Sequence, residues 1–180
     1  MILQKDFYFV RHGQTDHNTI EGKLKGEHPG DTPLNETGRN QARSIIPVIS
    51  SLPIKTICSS PLKRAQETKE IISSNLQVPD HALEDLGECS ALIWKEMTQP
   101  GMYSLPPKEG VANQFLSQVQ NGINQALSLP GPLLVVSHGG VHWAICCLMG
   151  IKEHEWVIGN CVPVHFSIGK NGKWTAKKLA

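Results

Sequence analysis

The sequence predicts an α/β protein of three layers (α/β/α), with helices on both faces of a mostly parallel sheet. Two observations predict it. Short apolar runs rich in aromatic and β-branched residues alternate with segments of helical periodicity. Two of those runs, "FYFV" (7–10) and "LLVV" (133–136), both stop just before a His-Gly pair, His12-Gly13 and His138-Gly139. Parallel strands end in this way when they feed a ligand-binding edge. With 180 residues, 39% of them hydrophobic and 18% charged, the chain has material for one core, so a single domain over 1–180 is expected.

The elements follow in order. "FYFV" reads as a short strand buried on both faces. Residues 13–34 are polar, with glycines and prolines, and read as a long loop. "NETGRNQARSIIPVISSL" reads as a helix with Asn35 as N-cap and Ala42, Ile45, Ile46 and Ile49 on one face; Pro47 should kink or end it. "KTICSS" (55–60) is a second strand, followed by a helix for which Ser60 is the expected N-cap and Pro61 the first helical residue. "HALEDLGE" (81–88) reads as extended, and 89–110 as an irregular flap. "ANQFLSQVQNGINQALSL" is a helix with Phe115, Leu116, Val119, Ile123 and Leu127 on one face. "PLLVVSH" is a strand, "GGVHWAICCLMG" a helix, and the chain closes in a hairpin turning at Asn171-Gly172.

Composition narrows the function classes. The formal net charge is +1 and no block of lysines or arginines appears, so neither nucleic acid nor an anionic membrane surface is an expected partner. Five cysteines, none in a C-x-x-C pair, suggest neither a disulfide framework nor a zinc ribbon. The N-terminus shows no cleavable signal pattern, so a cytoplasmic location is expected. Residues 133–151 carry no formal charge, but Ser137, His138, His142 and three glycines fit a strand, a turn and a buried helix better than a membrane span.

His12 and His138 stand at the carboxyl ends of their strands. If those strands are neighbours, both imidazoles enter one crevice, and the glycines behind them, Gly13 and Gly139, let a ligand approach the backbone. Arg11 adjoins His12, and Arg64 lies in the first turn of the helix after "KTICSS". Two arginines and two histidines on one edge suit a phosphate without an obligatory metal or cofactor. The guanidinium fork matches phosphate oxygens, and a neutral imidazole is a competent nucleophile. The leaving oxygen needs a proton, for which Glu84 and Glu88 are candidates. Taken singly, each residue has a plainer reading: a capped strand end, a solvated arginine, a surface glutamate. His138 and His142 have the spacing of a helical zinc pair, but the Glu of H-E-x-x-H is absent.

These blocks resemble the histidine phosphatase superfamily, the phosphoglycerate mutase-like group. "VRHGQTDHN" resembles R-H-G-[EQ]-[ST]-x-x-N, "GDTPLNETGRNQA" resembles D-x-P-L-T-x-x-G-x-x-Q-A, and "ICSSPLKRAQET" resembles S-S-P-L-x-R-A-x-x-T. "VVSHGG" matches the closing histidine and "GNCVPVHF" the late Asn-Cys strand. The resemblance implies a phosphoglycerate mutase-like fold and His12 as the phosphorylated nucleophile. It implies that Arg11, Arg64 and His138 hold the phosphoryl group, and that Gln14 and Asn18 touch the phosphate or substrate; Gly139, behind His138, is a further candidate for that contact from its place at the strand end. "LGECSALIWKEM" resembles L-x-E-x-x-x-G-x-W-E-G, which implies Glu88 as proton donor, with Glu84 and Asp85 as rivals.

Departures stand beside the matches. Leu92 and Glu96 replace glycines, Gly110, Val111 and Gln118 replace residues that often shape the pocket, and His17 stands where mutases often carry tryptophan. Only about fifty residues separate Glu88 from His138, where mutases usually insert more. The expectation is therefore a cofactor-independent phosphomonoesterase acting on a phosphorylated metabolite or phosphoprotein. The alternatives are a phosphoglycerate mutase-type phosphotransferase and a catalytically inactive phosphate-binding or scaffold protein.

Overall fold

The two apolar runs that end in histidine lie side by side. In the computed structural model, which describes residues 1–19, 30–97, 109–152 and 158–179, one sheet holds six strands. They are β1 (Phe7–Arg11), β2 (Thr56–Ser59), β3 (Asp80–Ala82), β4 (Leu133–Ser137), β5 (Pro163–Ile168) and β6 (Trp174–Lys178), in the order β3-β2-β4-β1-β5-β6. The first four run parallel, while β5 is antiparallel to β1 and β6 to β5. The described helices are α1 (Glu36–Ser44), α2 (Ile46–Ser50), α3 (Lys63–Ile72), α4 (Ala91–Met97), α5 (Val111–Ser128) and α6 (Gly139–Leu148).

Period-2 alternation builds two cores from uninterrupted apolar strands. Phe7 and Phe9 of β1, with Leu133 and Val135 of β4, pack with Phe115 and Ile123 of α5 and Trp143 of α6. Val10, Leu134 and Val136 face the other way, onto Ala42, Ile49 and Ile72 of α1, α2 and α3. Both faces are covered, as the sequence predicts. No described helix is long and apolar enough to cross a membrane.

Several local expectations hold. The Asn35 side chain accepts from Gly38 N at 2.9 Å, capping α1. The helical stretch breaks at Ile45 and restarts as α2 with Pro47 in its first turn. β5 and β6 form the closing hairpin, with Gly172 at φ 73° in its turn.

Three expectations are corrected. α3 starts at Lys63 with Leu62 as N-cap, because Ser60 turns its hydroxyl to His138. The stretch 81–88 is extended only to Ala82; Glu84–Leu86 then form a 3₁₀ turn, where Leu86 O accepts the Ser137 hydroxyl at 2.7 Å. Within the flap expected at 89–110, Ala91–Met97 is helical, with Met97 buried against the core. Residues 20–29 of the expected loop and 98–108 of the flap lie outside the described residues.

Candidate active site

The register of β1 and β4 decides the geometry. Arg11 pairs with Ser137, so the next residues, His12 and His138, emerge together at the carboxyl edge. Their ring centroids stand 5.1 Å apart at 63°. Both are buried, at 3% and 0% exposure. Burial, reinforced by Arg11, lowers the His12 pKa to about 3. Burial and the neighbouring His12 also push His138 well below the ordinary histidine range. Both rings are neutral at physiological pH.

His12 is tightly held. Its Nδ1 lies 2.7 Å from Gly13 O, which as a carbonyl can only accept, so the proton sits on Nδ1 and Nε2 keeps a lone pair. Asn160 Nδ2 donates to His12 O at 2.8 Å, Cys161 N donates to Arg11 O at 3.0 Å, and Gly13 N donates to Thr68 Oγ1 at 3.0 Å. Thr68 in turn donates to Arg64 O at 2.7 Å. The loop after His12 rests on α1. A Cβ on Gly13 would stand 2.5 Å from Gly38 O, and one on Gly38 would run into the Gln14 backbone.

The arginines are anchored by carbonyls: Arg11 Nη1 donates to Ile158 O at 2.7 Å and Arg64 Nη1 to Gly30 O at 2.9 Å. Burial lowers both their pKa values, and Glu88 opposes that shift in each. Arg11 Nε and His138 Nδ1 are buried without a hydrogen-bond partner among the described residues. His138 Nε2 meets Ser60 Oγ at 2.7 Å.

Glu88 joins this cluster. Its Oε1 accepts N–H from Cys89 at 3.0 Å and from Gly140 of α6 at 3.1 Å. The side chain keeps some accessibility, yet burial raises its pKa above the ordinary carboxylate value despite those donors and the two arginines. A Cβ on Gly140 would collide with Glu88 Oε1 and Cys89 Sγ, so any larger residue there has to push those two side chains aside. Of the rival carboxylates, Glu84 is exposed, and the Asp85 backbone packs on Gly122 of α5.

Arg11 and Arg64 therefore act electrostatically on Glu88 and on both histidines, and Gly139 adjoins them, its missing Cβ 3.5 Å from the Arg11 guanidinium carbon. Gln14 and Asn18 occupy the loop beyond, spending their carboxamide oxygens on structure: Gln14 Oε1 accepts from Asn35 at 3.1 Å, and Asn18 Oδ1 from Thr15 N at 3.1 Å. Sequence reasoning gave no site role to Ser60, Thr68, Gly38 or Asn160. Each lies inside a quoted motif, which was the available signal.

Comparison with known proteins reaches the same place. The family model for the histidine phosphatase superfamily (branch 1) matches residues 7–179. The chain belongs to this superfamily. Phosphatase PhoE of Bacillus subtilis, itself described as uncharacterized, is 32% identical over 144 residues, covering 76% of this chain and 72% of that one. Agropine synthesis reductase of Rhizobium rhizogenes is 31% identical over 188 residues; this region is 96% of the present chain but 41% of the reductase. Among solved structures, mycobacterial glucosyl-3-phosphoglycerate phosphatase in complex with VO3 superimposes with a TM-score of 0.69 at 19% identity, covering 96% of this chain and 97% of that one. The present histidine phosphatase is thus a hydrolase of phosphoric monoesters with a phosphoglycerate mutase-like fold.

Proposed function

We propose that this histidine phosphatase is a metal-independent phosphomonoesterase that works through a phosphohistidine at His12. The observation that carries the reading is the His12 tautomer: Nδ1–H is committed to Gly13 O, so Nε2 presents its lone pair to the cluster.

In the first step His12 Nε2 bonds to phosphorus while the bond to the leaving oxygen breaks. The Glu88 carboxylic acid gives its proton to that oxygen, and the alcohol departs. Charge on the equatorial oxygens is met by Arg11 and Arg64 and by the buried, unpartnered His138 Nδ1 and Arg11 Nε. If Ser60 donates to His138 Nε2, then Nδ1 carries the proton and can donate to a phosphoryl oxygen. In the second step water attacks phosphorus, the P–N bond breaks, Glu88 carboxylate takes the water's proton, and inorganic phosphate leaves. Glu88 returns to its acid form and His12 to its neutral one. Its raised pKa supports the alternation, because the acid persists at higher pH than for a solvated glutamate.

The substrate is read as a small phosphorylated metabolite, with Gln14, Asn18 and Gly139 contacting the phosphate or its ester. A panel of metabolite phosphates and p-nitrophenyl phosphate, assayed for free phosphate, tests the reading. Turnover is expected in the native chain and none in His12→Ala. Turnover surviving in His12→Ala overturns it.

A further inference from the structure

Cys89 follows the proposed acid directly and has no part in the scheme above. It is 3% exposed. A Cβ on Gly140 would lie 2.8 Å from Cys89 Sγ and would also collide with Glu88 Oε1, so thiol and carboxyl group meet over the same bare glycine. The two groups lie close enough to act on each other, and the position of the thiol over Gly140 lets its S–H turn toward the carboxyl group. Burial, with the Glu88 charge beside it, pushes the thiol pKa far above its ordinary value, so the sulfur keeps its proton. A protonated thiol can donate to the carboxylate and is a poor nucleophile.

We infer that Cys89 is a positioning residue for Glu88: its S–H, with the two backbone N–H groups, orients the carboxyl group and fixes which oxygen presents the proton. The inference rests on the reading of Glu88 as proton donor. Oε1 takes both short backbone bonds, at 3.0 and 3.1 Å, while Oε2 is 3.5 Å from Gly140 N. The transferable proton therefore belongs on Oε2. The charged groups facing Glu88 are Arg11 from β1 and Arg64 from α3; α6 contributes the Gly140 N–H. Both arginines and the thiol favour the ionised carboxylate, and burial opposes them. Losing the thiol donor makes Glu88 a weaker acid, and the alkaline limb of the phosphorylation step moves to higher pH.

Single-turnover phosphoenzyme formation from an alkyl phosphate, followed across pH, tests this in the full chain. Wild type, Cys89→Ser, Cys89→Ala and Glu88→Gln are compared, and thermal melting checks that each folds. Cys89→Ala should move the alkaline limb up by about half a unit to one unit, the worth of one hydrogen bond. Cys89→Ser, which keeps a donor, should restore the wild-type limb, and Glu88→Gln should have no such limb. If Cys89→Ala does not fold, Cys89→Val, without a donor and near in volume, takes its place with the same expected shift. A limb that disappears in Glu88→Gln but stays put without the thiol overturns the Cys89 assignment. A limb that survives in Glu88→Gln overturns the reading of Glu88 itself.

Discussion

Ser60 Oγ and His138 Nε2 stand 2.7 Å apart, joining the end of β2 to the end of β4 across the site edge. That contact governs which His138 nitrogen carries a proton. Ser60→Ala is expected to lower kcat/KM roughly tenfold, one hydrogen bond's worth of orientation. Ser60 also accepts from Leu62 N at 3.3 Å, so a small loss of stability should accompany the change. Steady-state kinetics at matched folded fraction check it; an unchanged kcat/KM removes Ser60 from the site.

Gly140→Ala should damage proton donation without unfolding the chain. The added methyl overlaps Glu88 Oε1. The atoms it meets, Glu88 Oε1 and Cys89 Sγ, are side-chain ends that can move aside, so the fold should survive. The expected loss is about 10²-fold or more with alkyl phosphates and much less with p-nitrophenyl phosphate, whose leaving group departs without a proton. Equal losses with both esters would mean that the substitution disturbs phosphate binding instead.

Acid should destabilise the fold through His12. Its folded pKa, about 3, lies below the ordinary 6.5, so the unfolded chain binds the extra proton between those values and stability falls as pH drops through that window. From pH 6.5 to 5 this one group should cost about 1.5 kcal/mol. The measurement is urea unfolding of wild type and His12→Asn at both pH values. The variant should lose less stability over the interval; parallel losses contradict a buried neutral His12.

Excess EDTA should leave activity intact, because the two guanidinium groups meet the phosphoryl charge. Loss of activity in chelator, restored by zinc or magnesium, contradicts the scheme.

How far the site was legible in the sequence depends on how local its interactions are. His12 and His138 could be read because strand periodicity ends at each, and neighbouring parallel strands bring both to one edge. Arg64 followed from the helix start. Position alone offers Glu84 and Glu88 equally, and only the resemblance prefers Glu88, since the 3₁₀ turn that aims it breaks a stretch that reads as extended. Ser60 reads as an N-cap because Ser-Pro is a strong helix-start signal, while its actual partner, His138, is 78 positions away. Thr68 and Asn160 act through bonds spanning 55 and 148 residues, so the motifs that contain them do not show which partner each one meets. Helix α4 has no legible periodicity in the sequence because seven residues give too few turns for one to stand out.

The central claim is the covalent phosphohistidine. Wild type mixed with a 32P-labelled substrate and quenched within one turnover should carry a phosphate that is stable in base and labile in acid, mapping by peptide mass spectrometry to His12. Label on a serine or cysteine, or no label while product forms in a single-turnover burst, would contradict the account.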